Sequence, residues 1–315
     1  MRLGMLALGA AVAALGAVAA VSAVACGPMA KANGRSSPTG RSLEAGAMPA
    51  SWYAGGAACV GTPRLAVHRY APDFYILRQP ACTSFEKPFL YLLFGSSRAL
   101  LLDTGAGGLL IAPTVDSLVA DWRARHEGAA LSLIVAHSHG HNDHVAGDTE
   151  FAGREDVTIV RHDTARVRDF FRMVRWPADE STLDLGGRVL DVLAIPGHQA
   201  ASIALYDRRT GVMLSGDTFY PGRLYVRDTA AFAASVARLV HFAARHPVTA
   251  FLGAHIENRR APGEDYPEGT VDQPDEHPLA LARADLLELD SAVTAMRGRF
   301  TLLRLPHFTI WPVAR

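Results

Sequence analysis

The chain has 315 residues, of which 49% are apolar, enough to bury one large core or two ordinary ones. Basic and acidic residues balance at 31 each, which excludes a bulk electrostatic pull towards nucleic acid or an anionic membrane surface.

Met1 and Arg2 give a short positive start, residues 3–25 carry no charge, and Ala23-Val24-Ala25 precedes Cys26. Residues 1–26 therefore read as an export signal, and Ala23-Val24-Ala25-Cys26 resembles a bacterial lipobox in which Cys26 is lipidated. Simple cleavage after Ala25 and an uncleaved anchor both stay open, because the run is nearly the ~20 residues that span a bilayer. Each version takes the protein out of the cytosol, to the periplasm or to a membrane anchor. Residues 27–51, rich in Gly, Ala, Ser and Pro, read as a flexible tether, and the folded domain is expected from 52 to 315. Cys59 and Cys82 lie in loop-like sequence, where a disulfide suits an oxidising compartment and two unrelated thiols are the alternative.

Strand-like runs follow at 65–70, 74–77, 89–94 and 99–102, the last two joined as a hairpin by Gly95-Ser96-Ser97. Asp103-Thr104-Gly105 closes that hairpin. A helix is expected over 113–125, with Val115, Leu118, Val119 and Trp122 on one face. Next comes an apolar strand, 131–136, which stops at four histidines, His137, His139, His141 and His144, and Asp143. Imidazoles are costly to desolvate without partners, so crowding them at one strand end makes sense chiefly when a cation binds them. His139 and His141, two apart, can face one ion, while Asp143 and His144 can serve a second beside it.

A short strand is expected at 157–160. Arg161, Arg166, Arg168, Arg172 and Arg175 then share a helix-like stretch with Phe170, Phe171 and Trp176. That stretch reads either as an amphipathic helix with a solvated arginine face or as a flap that meets an anionic or acyl substrate. Strand-like runs 189–195, 212–214 and 250–252 lead to His198, Asp217 and His255, and an alanine-rich helix covers 230–245. Prolines and glycines break up 257–278, which reads as a loop over the pocket or as a surface excursion; Glu264, Asp265, Tyr266, Glu276 and His277 are its candidate residues. A helix over 279–296 and an apolar run, 308–313, complete a chain whose periodicity alone indicates mixed α and β structure. The other histidines, 68, 126, 162, 241, 246 and 307, have no motif around them and read as structural or surface groups.

His139-x-His141-x-Asp143-His144, followed by His198 in IPGHQ, Asp217 in LSGDTFY and His255 in FLGAHIE, resembles the metallo-β-lactamase-fold hydrolases. The resemblance covers roughly residues 64–257 and implies a four-layer αββα sandwich. It also implies a first metal site of His139, His141 and His198 and a second of Asp143, His144 and His255, bridged by Asp217. Two zinc ions are the implied cofactor, and the all N/O set also permits iron or manganese. Asp103 and Ser138 would hold the ligands from behind, and His137 would be a buried neighbour.

Two zinc ions sharing a water would supply hydroxide to attack an ester, lactone or thioester carbonyl, with Asp143 orienting it. Tyr220, three after Asp217 as in the family's lactone hydrolases, would contact the substrate carbonyl. Asp217 stands where the β-lactamase branches mostly carry Cys or Ser, which argues against antibiotic hydrolysis. The alternatives are a mononuclear iron oxidoreductase resembling persulfide dioxygenases, a β-lactamase, and a zinc-stabilised binding lipoprotein without catalysis. The expected partner is a small acyl substrate, with membrane contact only through the N-terminal anchor and no nucleic acid.

Overall fold

Alternation of side chains along the strands decides the layering. The structure is a computed structural model that describes residues 42–52, 56, 58–62 and 64–313. Its first six-stranded sheet runs in order through β1 (Ala66–Ala71), β2 (Phe74–Arg78), β3 (Phe89–Phe94), β4 (Arg98–Leu102), β5 (Ser132–Ala136) and β6 (Val157–Ile159). The second contains β7 (Glu180–Asp184), β8 (Val189–Ala194), β9 (Ile203–Asp207), β10 (Val212–Gly216), β12 (Ala250–Gly253) and β13 (Ala280–Leu281), ordered β13-β12-β10-β9-β8-β7. A third, small sheet joins β11 (Arg223–Val226) to β15 (Thr309–Pro312) and β14 (Leu303–Arg304). The helices are α1 (Ala112–Arg125), the single turn α2 (Asn142–Val145), α3 (Thr164–Phe171), α4 (Thr229–Arg245) and α5 (Arg283–Met296).

Ile76, Tyr91, Leu93, Leu100 and Ile134 of the first sheet share one buried cluster with Val192, Ile203, Leu205 and Leu214 of the second. Their strand neighbours Leu77, Leu90, Leu92, Leu101 and Val135 face the other way, onto Val115 and Trp122 of α1. Leu193, Tyr206, Met213 and Phe251 on the far side of the second sheet are covered by Phe232, Val236 and Leu239 of α4 and Leu286 and Leu289 of α5. Helix, sheet, sheet, helix is the four-layer αββα order. Both faces of each sheet are buried, which is why these strands read as unbroken apolar runs rather than alternating ones. Each large side chain so buried contributes roughly 1.5–3 kcal/mol.

Strand direction then gathers the chemistry. β4 and β5 are parallel, β9 is antiparallel to both β8 and β10, and β10 and β12 are parallel. The C-terminal ends of β8, β10 and β12 therefore share one edge of their sheet. Bonds from Ile203 N to Ser138 O and from Phe89 N to Ala254 O, each 2.8 Å, tie the two sheets together there.

Several expectations need correction. Residues 280–281 extend the second sheet on β12 instead of starting the last helix, which begins only at Arg283. The open edge of β12 offers them ladder bonds, and Asp285 Oδ2 accepts the Ala282 N–H at 2.6 Å. The 308–313 run pairs into the third sheet, which the sequence did not suggest. The arginine-rich helix is shorter than expected: Arg172 turns left-handed, its N–H bonds back to Arg168 O, and Met173 is buried. All five arginines are exposed. Part of the expected tether lies against the domain, with Glu44 N bonded to Arg209 O at 2.9 Å and Met48 packed on the core. The remainder of the expected tether, residues 27–41, and the expected export signal, residues 1–26 with Cys26, lie outside the described residues. Cys59 and Cys82 form the disulfide. No helix among the described residues is long and apolar enough to cross a membrane.

Asp228 caps α4, its carboxylate accepting the Ala231 N–H at 2.9 Å. Asp228→Ala is expected to cost about 1 kcal/mol, read as a lower urea midpoint with an unchanged slope.

Candidate metal centre

Each ligand-type side chain stands just past a strand end. β5 delivers the 137–144 turn, β8 His198, β10 Asp217 and β12 His255. Gly216 makes the close approach at β10: its φ is +50°, and a Cβ there would meet Ser138 Cβ at 2.8 Å.

Among the described residues these side chains form two groups, His139, His141, His198 with Asp217, and Asp143, His144, His255 with Asp217. In the first, His141 Nδ1 is 2.9 Å from both His139 Nε2 and His198 Nε2. Asp217 Oδ2 is 3.6 Å from His139 Nε2 and 3.5 Å from His198 Nε2. In the second, Asp143 Oδ2 is 3.1 Å from His144 Nε2 and 3.3 Å from His255 Nε2. Asp217 Oδ1 faces those same nitrogens at 3.6 and 3.4 Å. One carboxylate thus turns one oxygen to each group.

This arrangement fits metal. Donor atoms at the corners of a zinc tetrahedron with bonds of about 2.0–2.1 Å lie on the order of 3.3 Å apart. Asp217 Oδ1 is buried without a hydrogen-bond partner among the described residues, which a cation would remedy. The far nitrogens of four ligand histidines are also fixed. His198 Nδ1 bonds to Tyr225 O at 2.9 Å, His255 Nδ1 to Glu86 O at 2.8 Å, His144 Nδ1 to Asp103 Oδ2 at 2.9 Å, and His139 Nδ1 to Ser138 Oγ at 3.1 Å. Such bonds fix ring orientation and tautomer in metal-bound histidines.

Protonation differs between the groups. Burial holds His139 well below the ordinary histidine range, lowers His141 and brings His198 down to about 4. For His144 and His255 burial acts the same way, but the Asp217 carboxylate and its neighbours outweigh it and hold both well above that range. Burial would raise Asp143 and Asp217; hydrogen bonds from His144 and His255 win at Asp143, the charges of His255 and His144 win at Asp217, and both stay carboxylates.

The residues match a known family. The model described as "Metallo-beta-lactamase superfamily" matches residues 87–264. The chain belongs to that superfamily. Among curated members it is similar to a Bos taurus acyl-coenzyme A thioesterase MBLAC2, 28% identical over 169 residues, 43% of this chain and 59% of that protein. It is also similar to a hydroxyacylglutathione hydrolase of Chromohalobacter salexigens, 27% identical over 162 residues, 50% of this chain and 58% of that one. The chain thus spans less than two thirds of either relative. A solved metallo-beta-lactamase from Pontibacter korlensis is 17% identical, with 73% of this chain and 99% of that one covered, at a TM-score of 0.49.

Around this superfamily centre the remaining expected residues find their places. His137 is buried outside both groups, its Nε2 3.2 Å from Asp148 Oδ2. Tyr220 lies edge-on to His255 at 5.6 Å, but its hydroxyl donates to Arg223 O and, at 3.2 Å, to Glu257 Oε2. Its phenol is fully buried and held well above its ordinary range by burial and Glu257. Of the 257–278 candidates, Asp265 pairs with Arg223 and Arg304, Glu276 with Arg78, and His277 with His307, while Glu264 is exposed. Only Tyr266 lines a cavity next to the metal cleft.

Sequence reasoning missed Glu86, Glu257 and Arg227, which line the metal cleft, a cavity of about 130 Å³, with His141, Asp143, His198 and His255. The same three reach a neighbouring cavity of about 350 Å³ beside Arg223, Tyr266 and Trp311. Glu257, two residues after His255, was the one with a signal. Burial raises the Glu86 carboxyl, with His255 opposing and Asp143 adding to the rise.

Lys87, on that cavity's wall, donates to Ile256 O at 3.3 Å and lies 3.6 Å from Glu276 Oε1. Burial and the Arg78 charge bring its ammonium down to about 8. The folded value lies below the unfolded one, so the cost of the buried charge is complete below pH 8 and is relieved as pH rises towards about 10.4. The stability of the parent relative to Lys87→Met is therefore expected to climb over that interval. Urea unfolding at about pH 7.5 and about pH 9.5 checks it, and identical pH dependence of the two proteins contradicts it.

Proposed function

We propose that the chain is a dinuclear-zinc hydrolase that opens an ester, lactone or thioester carbonyl. The observation that carries this reading is Asp217, with one oxygen turned to each of two donor groups. Two zinc ions held there would supply an acidified water and an electrophile for the carbonyl oxygen. Asp143, kept as a carboxylate on the cleft wall, would orient the attacking water. His144 and His255 would share the second ion with Asp143. Tyr220, with its hydroxyl already donated, steadies Glu257 beside the cleft. The names of the relatives, a thioesterase and a hydrolase of hydroxyacylglutathione, favour an acyl substrate.

The sequence of residues 1–26 and the Cys59–Cys82 disulfide support an exported protein, either periplasmic after simple cleavage or anchored by lipid at Cys26. The balanced charge supports a small-molecule substrate and no nucleic acid.

Purified protein, with its metal quantified, is assayed against lactones, thioesters, phosphodiesters and β-lactams. Two zinc ions per chain are expected, with turnover of an acyl substrate that His141→Ala abolishes and a lower melting temperature after chelation. A single iron with oxygen uptake, or turnover untouched by His141→Ala, overturns the proposal.

A further inference from the structure

We infer that the groove on the His198 side of the metal cleft seats an apolar acyl chain, with Trp176 as its selecting wall; this rests on the acyl-hydrolase reading above. The groove has a volume of about 730 Å³ and is walled by Trp176, Pro177, Pro196, Ala200 and Ala231. Its charged residues are Arg227 and Asp228, and the Asp228 carboxylate is occupied in capping α4. Trp176 is half-buried and packs against the core, so its position is set from below.

Continuity with the metal cleft identifies the occupant. His198 and Arg227 belong to both cavities, so a chain lying in the groove brings its carbonyl end to the ligand cluster. The 350 Å³ cavity, which shares Arg227 with both, sets Lys87, Arg223, Glu257 and Glu268 among aromatic residues such as Phe85 and Trp311. An alkyl chain there would strip water from charges, at a cost it does not recover, so that cavity is left for the departing half of the substrate. The groove floor is rigid. Gly197 has φ +143°, a Cβ there would meet Phe232 Cα at 2.5 Å, and its carbonyl accepts from Arg227 N and Asp228 N.

The test uses p-nitrophenyl acetate, butyrate and octanoate with the full-length protein. kcat/KM is expected to rise about tenfold or more from acetate to octanoate, below the roughly fourfold per methylene that complete burial would give. Ala231→Phe, which plugs the groove, and Trp176→Ala, which removes its wall, both lower the octanoate-to-acetate ratio. A second arm follows octanamide binding by tryptophan fluorescence in zinc-loaded and chelated protein, where Ala231→Phe weakens binding about tenfold or more. A flat chain-length profile, or octanamide binding indifferent to Ala231→Phe, overturns the groove. Absence of any ester turnover, with octanamide binding still weakened by Ala231→Phe, overturns the hydrolase reading and keeps the groove.

Discussion

Asp217→Asn is expected to reduce turnover on the order of 10³-fold, the several kcal/mol that metal activation supplies, while leaving the fold intact. The substitution keeps the shape of a side chain that is 7% exposed and removes its charge. That charge is the one feature both donor groups share. On the dinuclear reading proposed above, a neutral amide would take away the anion that both donor groups share, and occupancy should fall from two ions per chain to one or fewer. Mass spectrometry under non-denaturing conditions reads the stoichiometry and steady-state kinetics the rate. Two ions still bound, with turnover within about threefold of the parent, would remove the bridging role.

Asp103→Ala should have the second largest effect, although Asp103 belongs to neither donor group. Its carboxylate accepts from Ser138 N at 2.7 Å, Ser138 Oγ at 2.8 Å and His144 Nδ1 at 2.9 Å, at 1% exposure. Removing it strands buried donors at roughly 1–3 kcal/mol each, so a loss of about 3–5 kcal/mol is expected. Its φ of +68° adds strain for alanine that asparagine tolerates. Metal affinity should fall about 10–100-fold as the His144 ring loses its brace. Asp103→Asn separates the two effects: it should recover part of the stability and little of the affinity. Equal stability losses in both variants, with affinity at the parental level, would refute the bracing role.

How much was legible follows from where the information lies. The 139–144 turn could be read because its donors are adjacent in the chain, and His198, Asp217 and His255 because each follows an apolar strand at a local motif. The sandwich could be read only through the resemblance: Leu100 and Leu101 point to opposite layers, yet both are buried, so period 2 leaves no mark. Arg78 and Glu276 meet at 2.5 Å across 198 residues of chain, and nothing local announces such a pair. The two residues of β13 are too few for any pattern. Arg227 and Glu86 owe their positions on the cleft to tertiary packing, which hydrophobic spacing does not encode.

The Cys59–Cys82 bond gives the surroundings a hold on the metal. It fastens the loop that runs on to Glu86, and the Glu86 carbonyl is what steadies His255. Thiol reductants would therefore slacken one wall of the cleft while leaving both large sheets intact. Chain made in a reducing host would look well folded by circular dichroism yet hold metal at the Asp143, His144 and His255 group less firmly than chain made where the bond can close.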